Sequence, residues 1–297
     1  MPEDAELAFI STVMIPALPQ ELLDRIVDFL VDKGEALRAC SCTARCFRVQ
    51  SQKHIFQQIS LSHNSSPASF YHFLVSSPHI GPHVQFLTIA RVDTSAEQLT
   101  FSQLFQHIFE ALPNVHTLGI SRMLDSHMLV SSISNTSFPK RIKRLVLSST
   151  QFTHVDLLHF LPLFTSLVIL EGSLVQVDTQ PHLLNAGNPY ILPLQHLDLN
   201  VSFCENFASV LLRNISFPAL KKLETPGYTS GDLLTLAMFI DTYPTIDTLD
   251  ICGPLGSCPS EQRKLFSNVI SATTELFCRA HISTPTIQSA VSEARIR

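Results

Sequence analysis

Leu194-Gln195-His196-Leu197-Asp198-Leu199-Asn200 is the clearest copy of a pattern that recurs down the chain: apolar-x-x-Leu-x-apolar. Other copies are Val84/Leu87/Ile89, Val115/Leu118/Ile120, Ile142/Leu145/Leu147, Leu167/Leu170, Leu220/Leu223 and Ile246/Leu249/Ile251. Their starts step by 31, 27, 25, 27, 26 and 26 residues, and Phe56/Ile59/Leu61 fits the template 28 residues earlier. The alternation within each copy predicts a short strand. Pro82, Pro113, Pro139, Pro193, Pro218 and Pro244 stand just upstream. Proline lacks a backbone donor and disfavours helix before it, so each marks a corner from helix into strand. Between copies run helical spacings such as Leu104/Ile108/Ala111, Phe207/Val210/Leu211 and Leu233/Leu236/Ile240. A strand with one return helix cannot bury its apolar face alone. Neighbours must stack, with parallel strands on one side and helices on the other.

The period and the Leu-x-apolar core resemble leucine-rich repeats of the type that accompanies F-box domains, over residues 56–282. The Asn or Cys that usually follows the strand in that family is mostly missing. Met123, Thr150, Ser202 and Pro254 stand at the matching offsets. Without that side chain to bond the turn backbone, irregular turns and uneven curvature are expected. A dinucleotide-binding α/β sheet would need a Gly-rich loop after an early strand. None is present, and the chain has only 9 Gly.

Upstream of the repeats, Leu18-Pro19-Gln20-Glu21 reads as a helix start, with Pro in the first turn and Glu21 and Asp24 near the positive end of the dipole. Leu22, Leu23, Ile26, Val27, Leu30 and Val31 follow at helical spacing, and Gly34 reads as the stop. A second helix is expected through Leu37, Cys40, Ala44 and Phe47, and a short third through His54, Ile55 and Phe56. The first helix is apolar over more than one face, which fits contact with another chain as well as with the rest of this one. Leu18-Pro19-x-Glu21-Leu22-Leu23-x-x-Ile26-Val27-x-x-Leu30, with Leu37-x-Ala39-Cys40-Ser41, Arg45-x-Phe47-Arg48 and His54-Ile55-Phe56, resembles the F-box, most of all that of fungal F-box proteins. The resemblance implies docking onto the Skp adaptor of a cullin–RING ubiquitin ligase. Leu18, Pro19, Leu22, Leu23, Ile26 and Leu30 match the family's adaptor-binding positions.

The expected fold is therefore α/β: a tail at 1–15, a three-helix F-box-like module at 16–57, a leucine-rich-repeat solenoid at 58–282 and a tail at 283–297. The chain has 297 residues, 45% of them hydrophobic and only 15% charged, against ~25% charged in ordinary domains. That composition is globular rather than disordered. A net charge of −5 disfavours general nucleic-acid binding, which needs a basic field. The acidic start, without a basic n-region, does not read as a secretory signal. The most apolar stretch, Val155 to Leu170, is broken by Asp156, His159 and Pro162 and falls short of a membrane span. Seven cysteines without regular spacing read as reduced thiols. An intracellular protein, cytoplasmic or nuclear, is expected, and the four N-x-S/T sequons are expected to go unglycosylated. With Trp absent and 20 Phe present, Phe must supply the aromatic core.

No catalytic constellation stands out, so no enzyme activity and no cofactor or metal are expected. Cys40, Cys42, Cys46 and His54 lack the ligand spacing of a structural zinc site and read as small buried residues of a short helix. There is no HExxH, no GxSxG and no phosphate loop. The basic run Lys140-Arg141-Ile142-Lys143-Arg144 is tied to a strand entry by Ile142 and reads as a solvated corner.

In each strand the leucines point inward, so the residues between them line the open face of the sheet. Towards the end of the chain these are His196, Asp198, Asn200, Lys222, Glu224, Thr248 and Asp250, the candidate target-binding residues. The window from Leu194 to Ile251 holds seven acidic and three basic residues, which favours a neutral or basic target over a phosphorylated one. The Arg144 and Glu171 end of the sheet, and the tail after His281, come next. The function expected from these readings together is a substrate-recruiting subunit of an Skp–cullin–F-box ubiquitin ligase. The alternative is a leucine-rich-repeat interaction scaffold that joins no ligase.

Overall fold

The computed structural model describes residues 18–62, 67–90, 98–122, 126–134, 136–178, 189–200, 205–225 and 238–251. Both tails, the repeat segment 252–282, Met123, Ser202, Pro254, Leu233, Leu236, Cys204, Cys252, Cys258, Cys278 and the sequons at Asn64 and Asn135 lie outside the described residues. The chain divides into two compact units, Met1–Gln57 and Gln58–Arg297.

The described residues of the first unit form three helices: α1 (Gln20–Asp28), α2 (Gly34–Thr43) and α3 (Arg45–Phe56). Two expectations are corrected here. Gly34 does not stop α1; that helix ends at Asp28, and Gly34 opens α2. The spacing Leu37/Cys40/Ala44/Phe47 does not run through one helix, because Ala44 is extended (φ −147°, ψ 147°) and separates α2 from α3. Near the break, side chains bond back onto the helix: Thr43 Oγ1 donates to Ala39 O at 2.7 Å and Ser41 Oγ to Arg38 O at 2.7 Å. With the break at Ala44, Cys42 and Cys46 sit on different helices. Both are exposed and Cys40 is half-buried, so they are not the buried residues expected.

In the second unit, eight parallel strands form one sheet in chain order: β1 (Gln58–Leu61), β2 (Phe86–Ala90), β3 (Thr117–Ser121), β4 (Arg144–Ser148), then β6 (Ile169–Ser173), β9 (His196–Asn200), β11 (Lys222–Thr225) and β12 (Thr248–Ile251). Helices α4 (Pro67–Ser76), α5 (Gln98–Ala111), α6 (Ser126–Ser134), α7 (His154–Phe160) and α8 (Glu205–Asn214) fall between strands. Short strands β5 (Gln151–Thr153) with β7 (Gln176–Asp178), and β8 (Tyr190–Ile191) with β10 (Ile215–Ser216), form two further parallel pairs.

The register carries the repeat. Ile59, Leu87, Leu118, Leu145, Leu170, Leu197, Leu223 and Leu249 stand opposite one another across successive strands. From Leu87 onward each is at most 4% exposed. Nine phenylalanines are among the largest fully buried side chains, including Phe109 stacked on Phe138 at 4.2 Å and Phe160 edge-on to Phe164 at 4.8 Å. Of the prolines, Pro82 lies in the 3-10 turn Pro78–His83 before β2, and Pro139 opens the turn Pro139–Arg141 before β4.

The expected irregularity of the turns is corrected for three consecutive repeats. Arg122, Ser149 and Leu174 each follow the last residue of a strand with φ of 54°, 52° and 56°. This left-handed step is uncommon outside glycine. The ladder continues through it: Arg122 N–H donates to Ser148 O at 2.9 Å and Ser149 N–H to Ser173 O at 2.8 Å. At Arg122 and Ser149 a backbone partner thus stands where the Asn or Cys side chain is missing.

The basic run is not wholly a solvated corner. Lys140, Lys143 and Arg144 are exposed, but Arg141 reaches back to Pro113 O at 2.6 Å and Phe109 O at 3.1 Å, and its guanidinium lies 5.7 Å from the Phe138 ring. It satisfies Phe109 O in the last turn of α5, which helix geometry leaves without a partner, and Pro113 O just beyond the helix.

Candidate functional site

Two surfaces carry the candidate residues, one in each unit. In the first unit, Pro19 O accepts from Leu22 and Leu23 N–H at 3.0 and 3.3 Å and starts α1. Polar contacts fasten this helix to α3 at both ends. Gln20 Nε2 donates to Cys46 O at 2.8 Å, and Asp28 Oδ1 meets Gln50 Nε2 at 2.5 Å and His54 Nε2 at 2.6 Å. The hydrogen bonds from Gln50 and His54 hold the Asp28 carboxyl below its ordinary pKa. These contacts, with Val27 fully buried, set the rotation of the helix.

The opposite side is apolar and open. Leu22 and Ile26 of α1 and Phe29 at its C-cap are 45%, 48% and 85% exposed at i, i+4, i+7 spacing, and Leu18, just before the helix, is 52% exposed. Pro19 is exposed, and Leu23 and Leu30 are half-buried. Of the six candidate adaptor residues, the structure therefore leaves Leu18, Pro19, Leu22 and Ile26 open. Phe29, the most exposed apolar side chain of the stripe, was not among them. Its signal was the spacing from Leu22 and Ile26, obscured by the expectation that the helix ran on to Leu30. Large apolar side chains clustered in solvent mark interaction surfaces more often than isolated ones do.

In the second unit, the residues between the ladder leucines form registered rows on the sheet's open face. His196, Lys222 and Thr248 stand opposite one another, and so do Asp198, Glu224 and Asp250. Glu171 continues the second row beside Asp198, and Val146 lies beyond it. Four carboxylates thus occupy four adjacent strands. Asn200 joins by backbone register with Ser173.

The charges are partly matched. Arg144 Nη2 meets Glu171 Oε1 at 2.6 Å. Lys222 Nζ pairs with Glu224 and lies 3.1 Å from Asp250 Oδ2. These contacts, Glu224 first, raise the Lys222 pKa. His196 Nε2 lies 3.3 Å from Glu224 Oε1, out of line for a hydrogen bond. Asp198 sits between Glu171 and Glu224 without an ion pair among the described residues. Burial, then the charges of Glu224 and Glu171, push its pKa above the ordinary carboxylate value. The site is therefore larger than the seven candidate residues: Arg144 and Glu171, placed apart by the sequence reading, belong to the same rows.

Among the described residues no group of three or more His, Cys, Asp or Glu is placed to hold a metal ion, and no helix is long and apolar enough to cross a membrane. No family model and no curated protein matches the sequence. Among solved structures, a chain in the crystal structure of the yeast Rad7 and Elc1 complex is similar. The match has 11% identity, spans 88% of this chain and 85% of that one, and has a TM-score of 0.31. A likeness that slight carries neither a role nor a partner to this protein.

Proposed function

We propose that the chain is a substrate-recruiting subunit of an Skp–cullin–F-box ubiquitin ligase, with α1–α3 as its F-box and the repeats as a leucine-rich-repeat solenoid that binds a protein target. The observation that supports this most is the open apolar stripe of α1. Of the six positions that resemble the family's adaptor contacts, four are open, Leu18 and Pro19 just before α1 and Leu22 and Ile26 on it, while Leu23 and Leu30 are half-buried. Docking the stripe would remove apolar area from water at roughly 25 cal/mol per Å². Ubiquitin transfer would be the work of other subunits. This chain would contribute proximity by holding a target near the loaded conjugating enzyme, inside the cell and without a cofactor or catalytic centre of its own.

Co-purification of the full chain with an Skp adaptor tests the reading. Wild type is expected to retain the adaptor. Ile26→Asp, which would bury an unpaired charge in the complex, is expected to lose it by at least tenfold. Ile26 is already half in water, so the free variant should melt like wild type. No adaptor capture by wild type would refute the ligase reading and leave an interaction scaffold.

A further inference from the structure

The open face of the sheet differs in chemistry along its length. On β2 to β6 it presents Phe86, Val146 and Ile169, each half-exposed. Gly119 on β3 is part of this arrangement: a Cβ there would lie 3.1 Å from Thr88 Oγ1 and 3.6 Å from the Phe86 ring, so the absent side chain lets both lie across the strand. From Glu171 on β6 onward the face carries Glu171, Asp198, Glu224 and Asp250, four carboxylates against two permanent cations, Arg144 of β4 and Lys222 of β11. Ser121, Ser148 and Ser173 follow in register along the strand ends and offer hydroxyls to a passing backbone.

Building on the target-binding reading above, we infer that this face binds an extended segment of a partner protein, seating a Lys or Arg over Asp198 and an apolar side chain against Val146 and Ile169. Charge complementarity selects the cation. Asp198 has no counter-ion of its own among the described residues, whereas its neighbours Glu171 and Glu224 are paired with Arg144 and Lys222, so an incoming ammonium or guanidinium supplies the charge that Asp198 lacks. A phosphorylated residue would meet Asp198 as repulsion. Spacing selects the apolar neighbour. Val146 and Asp198 are two strands apart, roughly 10 Å at ~4.8 Å per step, which an extended chain covers in about three residues at ~3.3 Å each. Burial first, then the charges of Glu224 and Glu171, raise the Asp198 pKa, and a cation seated there would oppose that shift.

Panning a random dodecapeptide phage library on the purified full chain tests the inference. The expected result is enrichment of Lys or Arg with a large apolar residue two to four positions away. A recovered peptide should bind at least tenfold more weakly to Asp198→Lys and several-fold more weakly to Val146→Thr, and its affinity should fall with added salt. Both variants keep strand-compatible side chains, and melting no lower than wild type for Asp198→Lys, and within a few degrees of it for Val146→Thr, would show them folded. Enrichment of acidic residues, a preference for phosphoserine peptides, binding indifferent to both substitutions or no enrichment at all would overturn the inference. Adaptor capture is scored separately, so this inference can fail while the ligase reading stands, and the reverse.

Discussion

Replacing Leu145 and Val146 by alanine, one at a time, tests the architecture at single-residue resolution. The two are neighbours on β4, but alternation sends them to opposite faces. Leu145 is fully buried between Leu118 and Leu170, both also fully buried, whereas Val146 is half-exposed on the open face. Leu145→Ala removes the equivalent of three carbon groups at ~0.8 kcal/mol each. A cavity term adds to this, because paired strands on both sides keep the site from collapsing. The total should be about 3–4 kcal/mol, inside the ~2–5 kcal/mol range for such truncations. Val146→Ala loses two carbons that are already partly in water and should cost about 1 kcal/mol or less. For a domain of this size, 1 kcal/mol is worth about 2–4 °C. Leu145→Ala should therefore melt roughly 10 °C lower and Val146→Ala about 2 °C lower. Urea denaturation followed by circular dichroism would give the same ranking through the midpoints, with unchanged slopes. Equal losses, or a larger loss at Val146, would place the wrong face in the core and refute the register.

Two further outcomes follow from single side chains. Arg141→Met leaves Phe109 O and Pro113 O without their guanidinium donors and should cost about 2–3 kcal/mol in urea denaturation; Arg141→Lys, with one ammonium for two carbonyls, should recover less than half. Asp198→Asn should stabilise the protein at pH 7 by about 0.5–1 kcal/mol, because burial, and then like charges across strands, disfavour the ionised carboxylate. Since the fold raises the Asp198 pKa, its favourable contribution is present below the unfolded carboxylate value and is lost as pH rises through the folded one. The Asn variant's advantage should therefore vanish in melts at pH 3–4, and an advantage that persists there would point to some other cause.

What the sequence made legible, and what it did not, follows from which level of structure sets each feature. The leucine positions could be read because a stack of equivalent units buries the same position in every unit, so one register leaves its mark seven or eight times. The end of α2 was hidden because Ala44 is, by propensity, the best of helix formers. Its extended conformation belongs to the packing of α2 on α3, and nothing local announces it. The left-handed turns at Arg122, Ser149 and Leu174 were hidden for a related reason: no Gly or Asn marks them, and at Arg122 and Ser149 the support comes from ladder bonds to the next repeat. The acidic row lies between these cases. Alternation along each strand placed Asp198, Glu224 and Asp250 on the open face. Only the pairing of β6 with β9 puts Glu171 beside Asp198. That one contact turns scattered acidic positions into a surface with an unmatched charge at its middle. A change in the β6–β9 register would remove this feature while leaving the leucine core unaltered in composition. The binding chemistry is therefore a property of register, one level above the repeat that the sequence displays.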